Sequence, residues 1–381
     1  MATHLNFVTL DVFTTTPFKG NPLGVVHLPP GAPLSQAQKQ AIAREFNLSE
    51  SVFIHDVDPS NDPDPHTRRI DIFTTTEELP FAGHPTIGTA SYLQAQGINK
   101  LITKAGPIPI RSDAEEGLVS AAIPHDTHLN SKVLGHIEST LRADRLHSTP
   151  EIRSAELQAP IFSIVKGMTF ALIPLPSLDL LSQVLPGAFP CAMRDLVDVE
   201  WSETFIGRYY YVISGTSVSD SGVRTVQLRT RMVEDQIEDP ATGSAACALT
   251  SYLALQKYSE TRIQFQVTQG VEMGRQSDIA VEVKVDVGED GVRRVKEVQL
   301  GGKARQIMSG SILRGIRKDG VRALFFIVEG SSEALHYLAE LVDRGTVQSF
   351  VVGTCPLLEA QEAHDHANGR YSGRGKFVLT G

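Results

Sequence analysis

One short pattern occurs twice in this chain of 381 residues. Residues 84–90 read His84-Pro85-Thr86-Ile87-Gly88-Thr89-Ala90, and residues 239–245 read Asp239-Pro240-Ala241-Thr242-Gly243-Ser244-Ala245. Proline, glycine, a hydroxyl residue and alanine recur in the same order 155 positions apart, and each copy runs into a helix-like stretch. Proline pre-sets φ for a first helical turn, while glycine beside a small hydroxyl residue lets a ligand approach the backbone. The free N–H groups and positive dipole end of a helix start favour anions. The flanks repeat as well: RRIDIFTTTEELPFAG precedes the first copy and VRTVQLRTRMVEDQIE the second, with KAGPIPIRS and TQGVEMGRQ following the helices. Strand, polar loop, helix start, helix and strand recur in order. This predicts an internal duplication with two helix starts facing each other around a small anionic molecule.

The bulk properties narrow the function classes. A chain of this length can form two or three domains, each with its own core. Its 41% hydrophobic and 21% charged residues are ordinary for a soluble globular protein. A net charge of −9 without a dense Lys/Arg run argues against nucleic-acid binding. The N-terminal MATHLNFVTLDVF alternates like a strand and has no charged-then-apolar signal design. No apolar run approaches the roughly 18 residues that suggest a membrane helix. Cys191, Cys247 and Cys355 are far apart and odd in number, so they suggest neither a disulfide framework nor a metal knuckle. A cytoplasmic protein without a membrane partner is expected. His364 and His366, two apart, do not share a helix face and have no third ligand nearby, so no metal site is expected.

Residues 5–28 read as two strands joined by TTTPFKGNP, and 35–46 as a helix capped by Ser35. Residues 57–67 read as a polar, proline-rich loop. LNSKVLGHIESTLRADRL reads as a helix, SGTSVSDSG as a loop and GEDG at 288–291 as a turn between strands. Residues 322–380 predict a βαβαβ tail.

Five segments in order, DVFTTTPFKGNPLGVV, EFNLSESVF, FTTTEELPFAGHPTIGTA, EDPATGSAACALTSYL and QGVEMGRQS, resemble the PhzF-like phenazine-biosynthesis family. The resemblance spans about residues 5–313. It implies a diaminopimelate epimerase-like α/β (α+β) fold of two pseudo-symmetric domains, each a curved, mainly antiparallel sheet around a central helix. The corresponding domains are 1–125 and 126–315, with 316–381 as a separate tail. It also implies an isomerase that needs no metal or organic cofactor, and a homodimer. Glu50, in the N-L-S-E segment, corresponds to the glutamate that moves a proton between carbons of a small unsaturated ring acid. His84, Asp239 and Ser244, with Gly83, correspond to the family's other pocket residues.

The residue types suit that chemistry. A carboxylate can take and return a proton if burial or nearby negative charge raises its pKa towards neutrality. The helix starts at Gly83–Pro85 and Asp239–Ser244, Gly243 included, can hold a substrate carboxylate by backbone N–H groups. His84 and Asp239 are candidates to orient the substrate or relay a proton, and Ser49 is a further candidate contact. Plainer readings compete: a glutamate between helix and strand is ordinarily solvated, and His84, Asp239 and Ser244 could simply pack against or cap helices. Gly20-Asn21-Pro22 reads as a structural turn.

Two departures stand out. Family members often carry an aromatic and a proline ahead of E-D-P-A-T-G, where this chain has Arg229, Arg231 and Met232, which suggests a changed substrate pocket. The tail resembles the end of medium-chain dehydrogenase/reductases, but the chain has no G-x-G-x-x-G after a strand, so a lid or oligomer contact is the expectation. The leading function is a proton-moving isomerase. The alternatives are a two-base epimerase, a ring-forming or rearranging enzyme of secondary metabolism, and a non-catalytic binding protein.

Overall fold

The computed structural model describes residues 4–313 apart from 32, 59, 61–63, 114–116, 138–139, 202–203 and 236, and beyond them the backbone of 326–330, 351–356 and 376–380. Its contacts divide the chain into a unit of Met1–Glu329 and a unit of Gly330–Gly381.

The first unit is built from one pattern of strand pairing used twice. The first set is β1 (His4–Val12), β2 (Asn21–Leu28), β3 (Ser51–His55), β4 (Thr67–Phe73), β5 (Glu78–Leu79), β6 (Lys100–Thr103), β7 (Gly106–Asp113) and β8 (Leu118–Ala122). The second is β9 (His128–Leu129), β10 (Ile161–Val165), β11 (Met168–Pro174), β12 (Phe205–Val218), β13 (Arg224–Glu234), β14 (Ile237–Asp239), β15 (Arg262–Gln269), β16 (Ser277–Val287) and β17 (Arg293–Gly302), with β18 (Ala304–Leu313) following. Along β1-β2-β3-β4-β6-β7-β8 the pairings run antiparallel, parallel, antiparallel, parallel, antiparallel, antiparallel. Along β10-β11-β12-β13-β15-β16-β17 the same six senses recur in the same order. β5 lies antiparallel on β4, as β14 does on β13. β8 pairs with β17 and so joins the two ladders, while β18 returns to pair with β1.

Parallel neighbours need crossovers, and helices supply them. The helices are α1 (Gln36–Phe46), α2 (Gly83–Leu93), α3 (Pro150–Gln158), α4 (Leu178–Ser182), α5 (Met193–Leu196) and α6 (Gly243–Gln256). α1 starts as read, with Ser35 and Gln38 forming a capping box. α2 and α6 are wrapped by sheet: nine of the eleven residues of α2 and ten of the fourteen of α6 are buried. Apolar residues all around a helix place it inside a core rather than on a surface. The strands accordingly bury both faces. In the first half Val8, Leu10, Val25, Val52, Ile70 and Ile72 face the core that includes α2, while Leu5, Phe7, Val26, Phe53 and Phe73 pack with Ile42 and Ala43 of α1.

The strand registers define which residues are equivalent. Ile72 pairs with Leu79, and Met232 pairs with Asp239; α2 begins at Gly83 and α6 at Gly243. All three equivalences (72/232, 79/239 and 83/243) are 160 apart, not the 155 of the recurring motif. Pro85 is the third residue of α2, whereas Pro240 precedes α6 by three. The motif match is therefore shifted by five residues, because both segments draw on the same small set of helix-start residues. The sequence match at the structural spacing is Ser91-Tyr92-Leu93 with Ser251-Tyr252-Leu253.

Other expectations are corrected locally. Residues 129–146 form no α-helix in their described part; they give the end of β9 and two short 3-10 turns, at 134–136 and 143–145. Gly135 packs against the Leu157 carbonyl of α3, a helix entered through Pro150 at its first position. SGTSVSDSG lies largely in β12, which carries an irregularity between Ile213 and Gly215. In the tail, strands run over Phe326–Gly330, Val351–Pro356 and Lys376–Thr380, the last two paired in parallel. The tail helices, His364 and His366 lie outside the described residues. Among the described residues no helix is long and apolar enough to cross a membrane.

The two core helices meet glycine on glycine. A Cβ at Gly83 would stand 2.7 Å from Leu300 Cδ2 and 3.7 Å from Gly243 Cα, and one at Gly243 would stand 2.8 Å from the same Leu300 atom. Gly83→Ala should lower stability by about 1–3 kcal/mol, the usual range for overpacking. Adding Leu300→Val, which withdraws the obstructing methyl, should recover part of it. Urea titration of the three proteins checks this; an unperturbed Gly83→Ala would show that the contact has slack.

Candidate active site

The helix starts open onto a cavity of about 400 Å3. Neither start has a side-chain cap: Ala82 precedes α2, and Thr242 precedes α6 without bonding to its N–H groups. The first N–H groups of a helix have no partner within it, so those of Gly83, His84, Gly243 and Ser244 are available at the cavity wall. Glu50, Asp239, Asn21 and Thr242 complete a polar floor, while Leu79, Phe81, Ile123, Ile164, Met168 and Leu300 are among the apolar lining residues.

Six of the seven candidate residues line this cavity, namely Glu50, Gly83, His84, Asp239, Gly243 and Ser244. Ser49 does not; it is exposed beside Glu50, where its hydroxyl favours the ionised carboxylate. Asp239 and Ser244 are not helix caps, since the cap position of α6 is Thr242.

His84 is held at both ring nitrogens. Nε2 lies 3.2 Å from the Asn21 carbonyl, and Nδ1 lies 3.1 Å from Glu50 Oε2. A carbonyl only accepts, so Nε2 carries a proton. Nδ1 then faces a carboxylate that, when ionised, also only accepts. The contact therefore requires one proton, either on Nδ1 or on Glu50.

Asn21 ties this pair to the other half. Its side-chain amide donates to Asp239 Oδ1 and to the Ala241 carbonyl, both at 2.9 Å. Asp239 Oδ2 accepts from the Thr242 hydroxyl at 2.5 Å. Buried Gln269 donates to the Asp239 carbonyl at 2.8 Å and to Thr242 Oγ1 at 3.1 Å, and accepts from Tyr209 at 3.0 Å. Asn21, read from sequence as part of a turn, is thus a site residue that the reading missed, as are Thr242 and Gln269. The signal for Asn21 was its place in the first family-like segment.

The two carboxyls are driven apart. Burial pushes Asp239 up to about 6 against the Thr242 hydrogen bond, and the charge of Glu50 adds to the push. Burial also works to raise Glu50, but the hydrogen bond and charge of His84, with the Ser49 hydrogen bond, outweigh it and hold Glu50 below the usual carboxylate range. The raised carboxyl expected for Glu50 is found on Asp239 instead.

Arg229, Arg231 and Met232 do not reshape the pocket. Arg229 pairs with Glu272 at 2.7 Å, Arg231 with Glu238 at 2.6 Å, and Met232 is buried in the core. None lines the cavity. Along β13 Arg229 and Arg231 share one face, and Met232 lies on the other, in the core that includes α6.

Folded protein keeps a proton on Asp239 up to about pH 6, whereas a carboxyl at its ordinary 3.8 has released it well before. Proton binding favours the folded state below the lower value, and that contribution is lost as pH rises through about 6. Asp11, raised by burial to about 6 beside Arg275, acts in the same direction. Asp239→Asn should remove Asp239's share: between pH 4 and 6.5 the wild type should lose roughly 2 kcal/mol relative to the variant by chemical denaturation. Parallel pH curves would show that Asp239 titrates as an ordinary aspartate.

A family model described as phenazine biosynthesis-like protein (PhzC-PhzF) matches residues 10–310. A trans-2,3-dihydro-3-hydroxyanthranilate isomerase of Pseudomonas fluorescens is 33% identical over 282 residues, 71% of this chain and 88% of its own length. An uncharacterized isomerase of Mesorhizobium japonicum is 30% identical over 322 residues, 81% of this chain and 98% of its own. A PhzF-family phenazine biosynthesis protein of Bacillus anthracis superposes with a TM-score of 0.59 at 21% identity, covering 82% of this chain and 100% of that one. The chain belongs to the phenazine biosynthesis-like PhzC-PhzF family and is a PhzF-type isomerase.

Proposed function

We propose that the enzyme moves a proton between carbons of a small, unsaturated, carboxylated or carbonyl-bearing metabolite, with Glu50 as the general acid/base. The observation that carries this reading is the Glu50–His84 contact beside two uncapped helix starts in one cavity. The Gly83, Gly243 and Ser244 N–H groups would hold the substrate carboxylate or the charge that develops on it. Glu50, ionised at neutral pH by its contact with His84, takes a proton from one carbon. Because its carboxyl sits below the usual range, the acquired proton is readily returned to another carbon. A base held so low is weak against a carbon acid, and the anion-favouring helix starts offset that by stabilising the delocalised charge. Asp239, near neutrality, is suited to donate a hydrogen bond or proton to the substrate, and Ser49 to hold Glu50 in place.

The duplication favours one base over two. Val52 pairs with Ile72 and Tyr209 with Met232, which makes Val52 and Tyr209 equivalent and sets Gly207 opposite Glu50. A two-base epimerase needs an acid/base on each side of its substrate, and this position has no side chain to serve. Cys247, whose thiol burial pushes far up, is a poor substitute. The expectations of a cytoplasmic homodimer rest on cysteine usage and on the family resemblance.

The substrate in the name of the Pseudomonas fluorescens relative, trans-2,3-dihydro-3-hydroxyanthranilate, is the first compound to try. Glu50→Gln should lower kcat by about 10²–10⁴-fold, the usual contribution of a positioned acid/base, with a smaller change in KM. In heavy water the wild type should place deuterium at the accepting carbon. Turnover by Glu50→Gln at the native rate would remove Glu50 from the mechanism.

A further inference from the structure

The QGVEMGRQ segment, singled out by its family-like sequence, has no part in the cavity lining. We infer that its Arg275 is a positioning residue, which acts through Asn21 to set His84 for the reaction proposed above. The geometry begins in the loop between β1 and β2. Phe13 and Phe18, neither of them glycine, both have φ of 63°, and Gly20 has φ of 67°. A Cβ at Gly20 would stand 2.2 Å from the Val12 carbonyl, so only glycine fits there. Non-glycine residues with positive φ persist only where surrounding contacts impose them.

Those contacts come from the other half of the duplication. Arg275 donates through Nε to the Gly20 carbonyl at 2.9 Å, and through Nη2 to the Lys19 carbonyl at 3.1 Å and Asp11 Oδ1 at 3.0 Å. Asp11 Oδ2 in turn accepts from the Phe18 N–H at 2.5 Å. The Gly20 N–H donates to the Gln276 carbonyl at 3.0 Å, and the Asp278 N–H to the Phe13 carbonyl at 2.7 Å. One guanidinium thus fixes two successive carbonyls and the carboxylate that holds the loop's own backbone. A planar fork with several fixed donors does this, and an ammonium cannot. The residue after the second carbonyl is Asn21, whose own carbonyl holds His84 Nε2 and whose side chain holds Asp239.

The clamp has a mechanistic consequence. If Asn21 shifts, His84 loses the acceptor that keeps its proton on Nε2, and Nδ1 is no longer fixed towards Glu50. Arg275 touches neither the cavity nor a reacting atom, so its effect should fall on kcat more than on KM.

The test reads His84 in the full-length protein by ¹⁵N–¹H NMR and needs no substrate, so it stands or falls separately from the proposed reaction. In wild type the proton on His84 Nε2, held by the Asn21 carbonyl, should exchange slowly with solvent. Arg275→Gln should speed that exchange by about tenfold or more, as expected for a locally opened hydrogen bond. Asn21→Ala should do the same, and the double variant should add nothing further, as required when one residue acts through the other. Arg275→Lys, which keeps the charge without the fork, should fall between; it also carries the reading if Arg275→Gln does not fold. Exchange at His84 that stays native in the Arg275 variants, whatever their melting temperature, would overturn the inference and leave Arg275 a purely structural clamp. So would additive effects in the double variant.

Discussion

The contact of Gly83 with Gly243 is the constraint from which the site follows. Each glycine is the first residue of a helix buried inside its own half, and Leu300 of β17 fills the space that a Cβ on either would need. Two buried helices can meet end to end only where neither end has a side chain in the way. Their uncapped N–H groups then converge, and the partial positive charge at each end is directed into one cavity. A duplicated fold built around that contact has a place for an anion whatever else lines the pocket.

Duplication would give a symmetric site, but the chemistry is asymmetric. Leu79 stands at the position equivalent to Asp239, Gly207 at that of Glu50, and Ser244 at that of His84. Each half therefore contributes different groups: the first brings the Glu50–His84 pair, and the second brings Asp239 with Thr242 and Gln269. Asn21 spans them, bonding to His84 through its backbone and to Asp239 through its side chain. The opposed behaviour of the two carboxyls follows from these surroundings. Glu50 lies against a histidine, whereas Asp239 is buried and feels the charge of Glu50.

Much of this could be read from the residues. Ser35 announced α1, the Pro/Gly segments located both buried helices together with Gly83, His84, Asp239, Gly243 and Ser244 of the cavity lining, and the family resemblance added Glu50. Strand registers are not written in a local pattern, so the motif suggested an equivalence five residues out of step. Gly20-Asn21-Pro22 has turn composition, but only Gly20 lies in the loop, and Asn21 and Pro22 open β2; the site role of Asn21 depends on partners 63 and 218 positions away, a separation no local pattern reports. Arg229 and Arg231 looked like pocket residues by their place in the motif. In the structure each pairs with a glutamate, which no spacing along the chain would disclose. The pKa expectation for Glu50 failed for a related reason, because burial alone predicts a rise and the proximity of His84 reverses it.

The most direct test of a single-base site is a crystal structure with a planar, carboxylated ring analogue that cannot isomerise. Its carboxylate should sit at the Gly83, Gly243 and Ser244 N–H groups, with a ring carbon about 3–3.5 Å from a Glu50 oxygen and no second acid/base near Gly207. An analogue bound outside this cavity, or seated in it with Glu50 turned away and another acid/base at the ring, would contradict it.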